Sequence, residues 1–442
     1  MSLLLSLRAK GAGGVAERLG TITARFGTTS APIARCLEHY TGLVDSFGGR
    51  PSLPITATVL GRHPSVVRRF AVRGVEFAIH GLVHDDHAAL GLREQCARLA
   101  KAKALFEAAG VACTGFRGPY LRANSATAEA VRVAKLSYDS TRAVAFPVLA
   151  PELEHGSRGA RWRRALDFYG ASGAGEVVVR PTLQRGLVEL PVAMPDDEIL
   201  VDRLHLNAEA QAAAWLAILA LTYARGELFT LQLHPERIFD CAQALDAVLA
   251  AARRAQPAVW IATLDQIASW WLRRQAAVVL QVEQVAPEGY RCVLEGDADA
   301  TLLARGLSGL DAQPWMGPDW LARPRRFEFQ AKVQPIIGVS RRCSPAVLAF
   351  LREEGFPAQV GDERGRYGTY VDDEVGAAAT PPDQVRLLAH IEQSTGPLIR
   401  LWRWPRGARS ALAVTGDVDA MTIQDFALRQ WETRKRWGAR CD

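Results

Sequence analysis

Two histidines four residues apart, His80 and His84, are placed by type and spacing to bind one metal ion. They follow a short apolar run, residues 75–79, that is typical of a buried β-strand. If the chain enters a helical turn after this strand, positions i and i+4 lie on one face, and both rings can reach the same cation. The alternative is a solvated helix face, which the polar residues 85–87 would also fit.

Two aspartates near the end of the chain form a second candidate pair. The strand-like run 410–415 leads into Gly416, Asp417, Val418 and Asp419. Residues two apart in an extended chain point to one face, so both carboxylates can lie at one strand end. Two imidazoles and a carboxylate can hold a divalent cation that activates water, and a second carboxylate can act as base. The alternative is a turn that carries two solvated acids.

Two further motifs follow the histidine pair along the chain and give the sequence a family resemblance. They are Arg-Gly-Pro-Tyr at 117–120 and Leu-His-Pro at 233–235. In this order the motifs resemble the polysaccharide deacetylase family, also called the NodB-homology or carbohydrate esterase 4 family, over about the first 270 residues. The resemblance implies a metal-dependent hydrolase that removes an acetyl group from an N-acetylated sugar or glycan precursor.

The chain departs from the family pattern at the place of its aspartate pair, which normally follows the first strand. The matching early stretch, residues 23–27, has Arg25 and Phe26 in place of the two acids. Residues 415–419 resemble the missing motif, displaced to the C-terminus. We therefore expect a permuted or complemented barrel, in which the terminal strand inserts beside the first. Arg25 and Phe26 also fit an alternative, an inactive carbohydrate-binding protein; a second alternative is an allantoinase-like enzyme acting on another C–N bond.

The resemblance assigns a metal site and a base. His80, His84 and Asp419 would bind a divalent metal, with zinc the expected ion. Asp417 would take a proton from the attacking water, and Arg117 would hold that carboxylate in place.

The resemblance also assigns an oxyanion donor and an acid. The backbone N–H of Tyr120 would stabilise the oxyanion, and His234 would protonate the departing amine. The acid needs a nearby carboxylate to keep its pKa high. Asp139 and Asp265 are both candidates for that partner.

Strand-like and helix-like runs alternate through the first 270 residues, which indicates parallel βα units. We expect an α/β fold, a distorted or incomplete (β/α) barrel of the polysaccharide deacetylase type with an additional smaller α+β domain. The expected divisions are 1–274 for the barrel, 275–396 for the small domain, and 397–442 for a strand–helix segment that completes the barrel site. Residues 54–60 are predicted to be one strand.

Composition restricts the remaining possibilities. The chain has 442 residues, a formal net charge of +6 and seven scattered cysteines. The short arginine clusters do not indicate a nucleic-acid surface, and the cysteines do not indicate a disulfide framework. No run is long enough for a signal peptide or a membrane span, so a cytoplasmic location is predicted. The sequence leaves the oligomeric state open.

Overall fold

The computed structural model describes residues 25–149, 151, 155–372 and 380–433. Thr23 and Ala24, which belong to the early stretch compared above, lie outside these residues. The described helices are α1 (Ala31–Ser46), α2 (Ala57–Arg62), α3 (Pro64–Ala71), α4 (Leu92–Ala109), α5 (Thr127–Val133), α6 (Gly156–Tyr169), α7 (Ala208–Arg225), α8 (Ile238–Arg254), α9 (Leu264–Ala277), α10 (Pro345–Glu354), α11 (Pro381–Gln393) and α12 (Ile423–Glu432).

The strands fall into a large sheet and several small ones. They are β1 (Ser52–Ile55), β2 (Glu76–Ile79), β3 (Gly115–Phe116), β4 (Tyr138–Asp139), β5 (Ala143–Ala145), β6 (Ser172–Gly173), β7 (Thr182–Gln184), β8 (Leu187–Glu189), β9 (Val192–Met194), β10 (Leu228–Gln232), β11 (Val259–Ile261), β12 (Val279–Ala286), β13 (Gly289–Glu295), β14 (Leu302–Arg305), β15 (Ala312–Met316), β16 (Asp319–Ala322), β17 (Arg326–Gln330), β18 (Gln334–Val339), β19 (Ala358–Val360), β20 (Tyr367–Val371), β21 (Leu398–Leu401) and β22 (Ser410–Thr415).

The large sheet has the strand order β10-β22-β1-β2-β3-β4-β8-β7, and β11 also pairs with β22. Its strands are parallel from β10 to β8, and β7 pairs with β8 antiparallel. The apolar faces of α1, α4, α7 and α8 pack with these strands into one continuous core. The sheet curls into a half-barrel, which confirms the predicted α/β fold class.

The late strand β22 lies inside this sheet, between β10 and β1. Its residues 411–415 pair with all of β10, Ser52 of β1 pairs with Thr415, and Ile55 bridges to Val418. All of its residues are buried, as expected of a central parallel strand covered on both faces. The chain therefore brings a strand from near its C-terminus directly beside its first described strand.

The preceding strand takes a different partner. β21 pairs antiparallel with β14, in a small sheet of order β15-β16-β14-β21. The described part of this C-terminal segment, residues 397–433, thus divides, with β21 in the small sheet and β22 in the barrel. Two other small sheets, β12-β13-β17 and β19-β18-β20, complete the middle region.

The predicted strand at 54–60 is wrong in its second half. β1 ends at Ile55, and α2 begins at Ala57. Short apolar runs do not separate buried strand from buried helix by periodicity, and this run serves as both. None of the helices in the described part of the chain combines the length and apolar content that a bilayer span requires.

Candidate metal centre and active site

The candidate residues gather where strands of the large sheet end. His80 follows β2, Arg117 follows β3, His234 follows β10 and Asp417 follows β22. Because the carboxyl ends of parallel strands meet at one edge of a sheet, the topology brings these four side chains together.

His80, His84 and Asp419 form the metal-binding candidate. Their three ligand atoms lie within 4.8 Å of one another. His84 Nε2 is 3.1 Å from Asp419 Oδ2, and His80 Nε2 is 3.4 Å from Asp419 Oδ1. His80 Nδ1 lies 2.9 Å from the Arg117 carbonyl oxygen, which can only accept, so Nδ1 carries the proton and Nε2 is left as the ligand atom.

The donor set fits a divalent cation. His80 Nε2 and Asp419 Oδ1 are buried and make no hydrogen bond. Buried polar atoms without a partner are rare in proteins, and a cation between these two atoms would satisfy both. Two imidazoles and one carboxylate with room for a further ligand are typical of catalytic zinc sites. The three residues would therefore hold such an ion.

The loop between the two histidines is not the helical turn that the spacing suggests. Residues 80–86 are irregular, and Gly81 has a φ of +76°. The backbone N–H groups of Ala57 and Thr58 donate to the carbonyls of Gly81 and Leu82 and hold the loop against α2. A Cβ at Gly81 would lie 2.8 Å from the Val83 carbonyl oxygen. A bend at glycine, and not a helix, turns the two rings toward one point.

Asp417 lies beside this cluster and is oriented by two donors. Arg117 Nη1 donates to Oδ1 and Gln232 Nε2 donates to Oδ2, each at 3.1 Å. Arg117 is fully buried, and its Nε and Nη2 donate to the carbonyl and hydroxyl of Ser140 at 3.0 Å. The Asp417 carboxylate, 3.6 Å from His80 Nε2, is thereby fixed at the edge of the metal-binding candidate.

The carboxylate that supports His234 is Asp197, so the expectation of Asp139 or Asp265 is wrong. His234 Nδ1 lies 2.9 Å from Asp197 Oδ1, and the His234 backbone N–H donates to Oδ2 at 3.1 Å. Asp139 instead accepts from Thr141, and Asp265 accepts from Thr114 Oγ1 at 2.8 Å. The turn after β9 carries Asp197 to the histidine from 37 residues away, so no short-range spacing marked it.

The ion pair with Asp197 controls the protonation of His234. Burial lowers the pKa of this imidazole, but the charge of Asp197 and the hydrogen bond to it raise the pKa to about 10. Arg237 Nη1 also contacts Asp197, at 3.2 Å. His234 is therefore protonated at neutral pH and can act as an acid.

Tyr120 and Arg429 complete the wall beside His84. Tyr120 has a φ of +61°, a strained conformation for a residue with a side chain. Its ring meets the His84 ring edge to face at 4.2 Å, and its hydroxyl accepts from Arg429 Nη2 at 2.9 Å. Arg429 also contacts His84 Nδ1 and lies 3.5 Å from Asp419 Oδ2. Sequence reasoning missed Arg429, since nothing in the helical pattern of α12 sets it apart.

Both His84 and Asp419 have pKa values well below their ordinary values in this wall. Burial, and then the Arg429 guanidinium, hold the pKa of His84 well below its ordinary value, which keeps the imidazole neutral. Burial raises the pKa of Asp419, but His84, His80 and Arg429 outweigh it and hold that pKa well below its ordinary value. A neutral imidazole and an ionised carboxylate are the forms that bind a metal, and the proton that the Arg429 contact at Nδ1 leaves on His84 Nε2 is the one that a metal would displace.

Arg25 and Phe26 make contacts away from the metal-binding candidate. Arg25 Nη2 donates to Asp202 Oδ1 at 3.1 Å and lies 3.4 Å from Asp240 of α8. The Phe26 ring packs edge to face against Phe426 of α12, with the ring centres 4.7 Å apart. The carboxylates beside His80 come from the segment after β22.

Comparison with solved structures finds likenesses over part of the chain. A candidate polysaccharide deacetylase from Mycobacterium smegmatis is 22% identical, with a TM-score of 0.43, and the alignment covers 60% of this chain and 86% of that one. Puue allantoinase is 15% identical, with a TM-score of 0.41 and coverage of 55% and 72%. A family 4 carbohydrate esterase from Streptomyces lividans, solved with acetate, is 16% identical, with a TM-score of 0.24 and coverage of 40% and 81%. At these values the likenesses say nothing about activity or substrate.

Comparison with proteins of curated function gives no match. A family model described as polysaccharide deacetylase does match, over residues 52–138. This segment contains His80, His84, Arg117 and Tyr120, whereas His234 and the two late aspartates lie beyond it. The match assigns residues 52–138 to the polysaccharide deacetylase family and confirms the family predicted from the sequence.

Proposed function

We propose that this protein is a metal-dependent hydrolase that removes the acetyl group from an N-acetylated sugar or glycan precursor. The observation that carries the proposal is the convergence of His80, His84 and Asp419, drawn from distant parts of the chain, beside a carboxylate held by a buried arginine. The carbohydrate substrate is supported by the family match over residues 52–138.

Asp417 is the proposed base. A divalent cation held by His80, His84 and Asp419, with zinc the expected ion, would polarise the acetamide carbonyl and activate a water molecule. The Asp417 carboxylate takes the proton from the attacking water as a bond forms to the acetamide carbon. Arg117 and Gln232 hold this carboxylate in one orientation, which saves the entropy of arranging it during the reaction.

His234 is the proposed acid, and Tyr120 the proposed oxyanion donor. The Tyr120 backbone N–H, set by its left-handed conformation, donates to the charge that develops on the acetamide oxygen. With Nδ1 engaged by Asp197, the Nε2–H of His234 protonates the sugar nitrogen as the C–N bond breaks. The products are acetate and a free amino sugar.

The test is acetate release from N-acetylglucosamine oligosaccharides by the purified, zinc-loaded chain. We expect Asp417→Asn to keep its zinc and to lose about 100-fold or more in kcat, because it removes the proton acceptor and keeps the shape. Asp311→Ala is the matched control, since this aspartate is well exposed in the small sheet. Bound zinc without acetate release would reject the deacetylase and leave the carbohydrate-binding and allantoinase-like alternatives.

A further inference from the structure

A cavity of about 330 Å³ lies at the end of the barrel away from the candidate active site. Its wall includes Glu227, which directly precedes β10, and Arg409, which directly precedes β22. The candidate active site follows the opposite ends of the same strands, about 20 Å away at 3.3 Å per residue. Trp402 after β21 and Ala389 of α11 also line the cavity. Its volume is at the lower end of the range for small-molecule pockets.

The Arg409 guanidinium is a cation without an acidic partner in this wall. It is 8% exposed, and it donates to the carbonyls of Tyr223 and Ala224. It lies against two indoles that contact each other, 4.9 Å from the Trp402 ring centre and 5.2 Å from that of Trp315. Within the described ranges no carboxylate comes within ion-pair distance of it. Burying an uncompensated charge is costly, so the cavity wall favours an anion here.

The other buried arginines of the cavity differ from Arg409 in this respect. Arg403 binds Glu354 Oε2 through Nε and Nη2. Arg400 is paired with Glu392 and Asp319. Their charges are met within the protein, which leaves Arg409 as the group that an incoming anion would satisfy.

Glu227 places a buried carboxylate oxygen without a hydrogen-bond donor in the same wall. Its Oε1 accepts from the Val179 backbone N–H at 3.2 Å, whereas its buried Oε2 makes no hydrogen bond and lies 4.0 Å from Arg225 Nη1. The side chain is 5% exposed, and burial raises its pKa to about 7. A buried acceptor of this kind calls for a donor from whatever fills the cavity.

We propose that this cavity binds a small hydroxylated anion, with its anionic group against Arg409 and a hydroxyl group donating to Glu227 Oε2. Val178, Phe356 and Leu388 supply apolar walls that would contact the carbon skeleton of such a ligand. Sugar acids and sugar phosphates share this chemistry. The site is separate from the candidate metal centre, and the proposal does not depend on the proposed hydrolase activity.

Calorimetric titration of the purified full-length chain at neutral pH tests the proposal with four probes: glucose 6-phosphate, glucuronate, glucose and inorganic phosphate. We expect glucose 6-phosphate or glucuronate to bind, and which of the two binds tells a phosphate ester from a carboxylate. Uncharged glucose should bind about tenfold more weakly or worse, because it leaves Arg409 unmatched. Absence of binding by both hydroxylated anions, or equal binding of glucose, would overturn the proposal.

Variants place the ligand in the cavity. Arg409→Met should weaken binding about tenfold or more, whereas Arg406→Met, which changes an arginine that is 65% exposed nearby, should leave it unchanged. Glu227→Gln should weaken the hydroxylated anions and spare inorganic phosphate. Ala389→Trp should block the cavity from an exposed position on α11 without removing a charge. If Arg409→Met does not fold, Ala389→Trp serves as the test of where the ligand binds. Wild-type affinity in a folded Ala389→Trp protein would reject this cavity as the binding site.

Discussion

The pair formed by His234 and Asp197 determines whether the proposed acid carries a proton. The charged groups that face the imidazole are Asp197, Asp196, Glu236 and Arg237. Arg237 lowers the pKa of His234, and the acids raise it. Asp197 dominates because it touches the ring directly.

Asp197→Asn should therefore lower the pKa of His234 from about 10 to below its ordinary value of about 6.5, since burial and Arg237 then prevail. In the wild type the raised pKa means that the pair stabilises the fold fully below pH ~6.5 and loses this effect as pH rises through about 10. NMR titration of the His234 ring measures this pKa in the wild type and in Asp197→Asn. Asp240→Asn, at a more exposed acid on α8, is the control. A wild-type ring that titrates near pH 6.5 would contradict this account.

The sequence predicts which site residues lie together when they are close along the chain, but not when the fold brings them together from far apart. His80 with His84, and Asp417 with Asp419, are separated by only a few positions, so local geometry ties each pair together. Arg429 reaches His84 across 345 residues. No spacing rule relates residues at such a separation.

Helix α12 holds the segment after β22 against the barrel. Asp425 caps its first turn and accepts from the backbone N–H groups of Met421 and Thr422 at 2.9 Å. The same carboxylate binds Arg62 Nε at 2.6 Å and His63 Nε2 at 3.0 Å, at the junction of α2 and α3. Burial raises the pKa of Asp425, but His63, the Met421 N–H and Arg62 together hold it far below its ordinary value. One buried acid thus joins an early pair of helices to the last described helix.

Asp425→Ala should lower the free energy of unfolding by roughly 3 kcal/mol, because it removes one half of the capping box with Thr422 and leaves the buried N–H groups of Met421 and Thr422 without their acceptor. Urea denaturation followed by circular dichroism measures the loss. The exposed Asp311→Ala should stay within about 0.5 kcal/mol of wild type. Equal stabilities of the two variants would show that α12 is held by its apolar contacts alone.

Elements were predictable where a long period or a family motif supported them. The alternation of strand-like and helix-like runs indicated the parallel βα units of the large sheet, whereas the helical turn considered after β2 rested only on two histidines that stand four apart. Gly81 decides the shape of that loop, because any side chain there would meet the Val83 carbonyl oxygen, a proximity that arises only in the folded chain.

At the scale of the whole molecule, Glu354 links the barrel to the middle region. Its carboxylate contacts Arg180, which precedes β7, and binds Arg403 Nε at 2.8 Å. Arg274 of α9 donates to the Glu354 carbonyl at 2.9 Å. Burial raises the pKa of this acid, but Arg180 and Arg403 outweigh it and lower the pKa. Two arginines from distant parts of the chain share the Glu354 carboxylate and a third binds its backbone carbonyl, an arrangement that no segment-by-segment pattern predicts.

Glu354→Ala should cost roughly 4 kcal/mol of unfolding free energy at neutral pH, because it leaves the buried Arg403 guanidinium without its acid and leaves Arg180 with Glu353 alone. Glu353→Ala, at a more exposed neighbour, should cost about 1 kcal/mol or less. Because the pKa of Glu354 is lowered by folding, its ionised carboxylate stabilises the fold fully above the ordinary glutamate pKa of ~4.3. This stabilisation is lost as the pH falls through the pKa of the folded protein. The gap between Glu354→Ala and wild type should therefore narrow in acid. A gap that is constant with pH would contradict this.

The central claim is that an aspartate after β22 and two histidines after β2 form one metal centre. Equilibrium dialysis against Zn²⁺, with bound metal counted per chain, tests it most directly. We expect one bound zinc in the wild type and in Asp311→Ala, and almost none in a folded Asp419→Ala protein. Equal zinc binding by Asp419→Ala and wild type, or no zinc bound by the wild type, would contradict it.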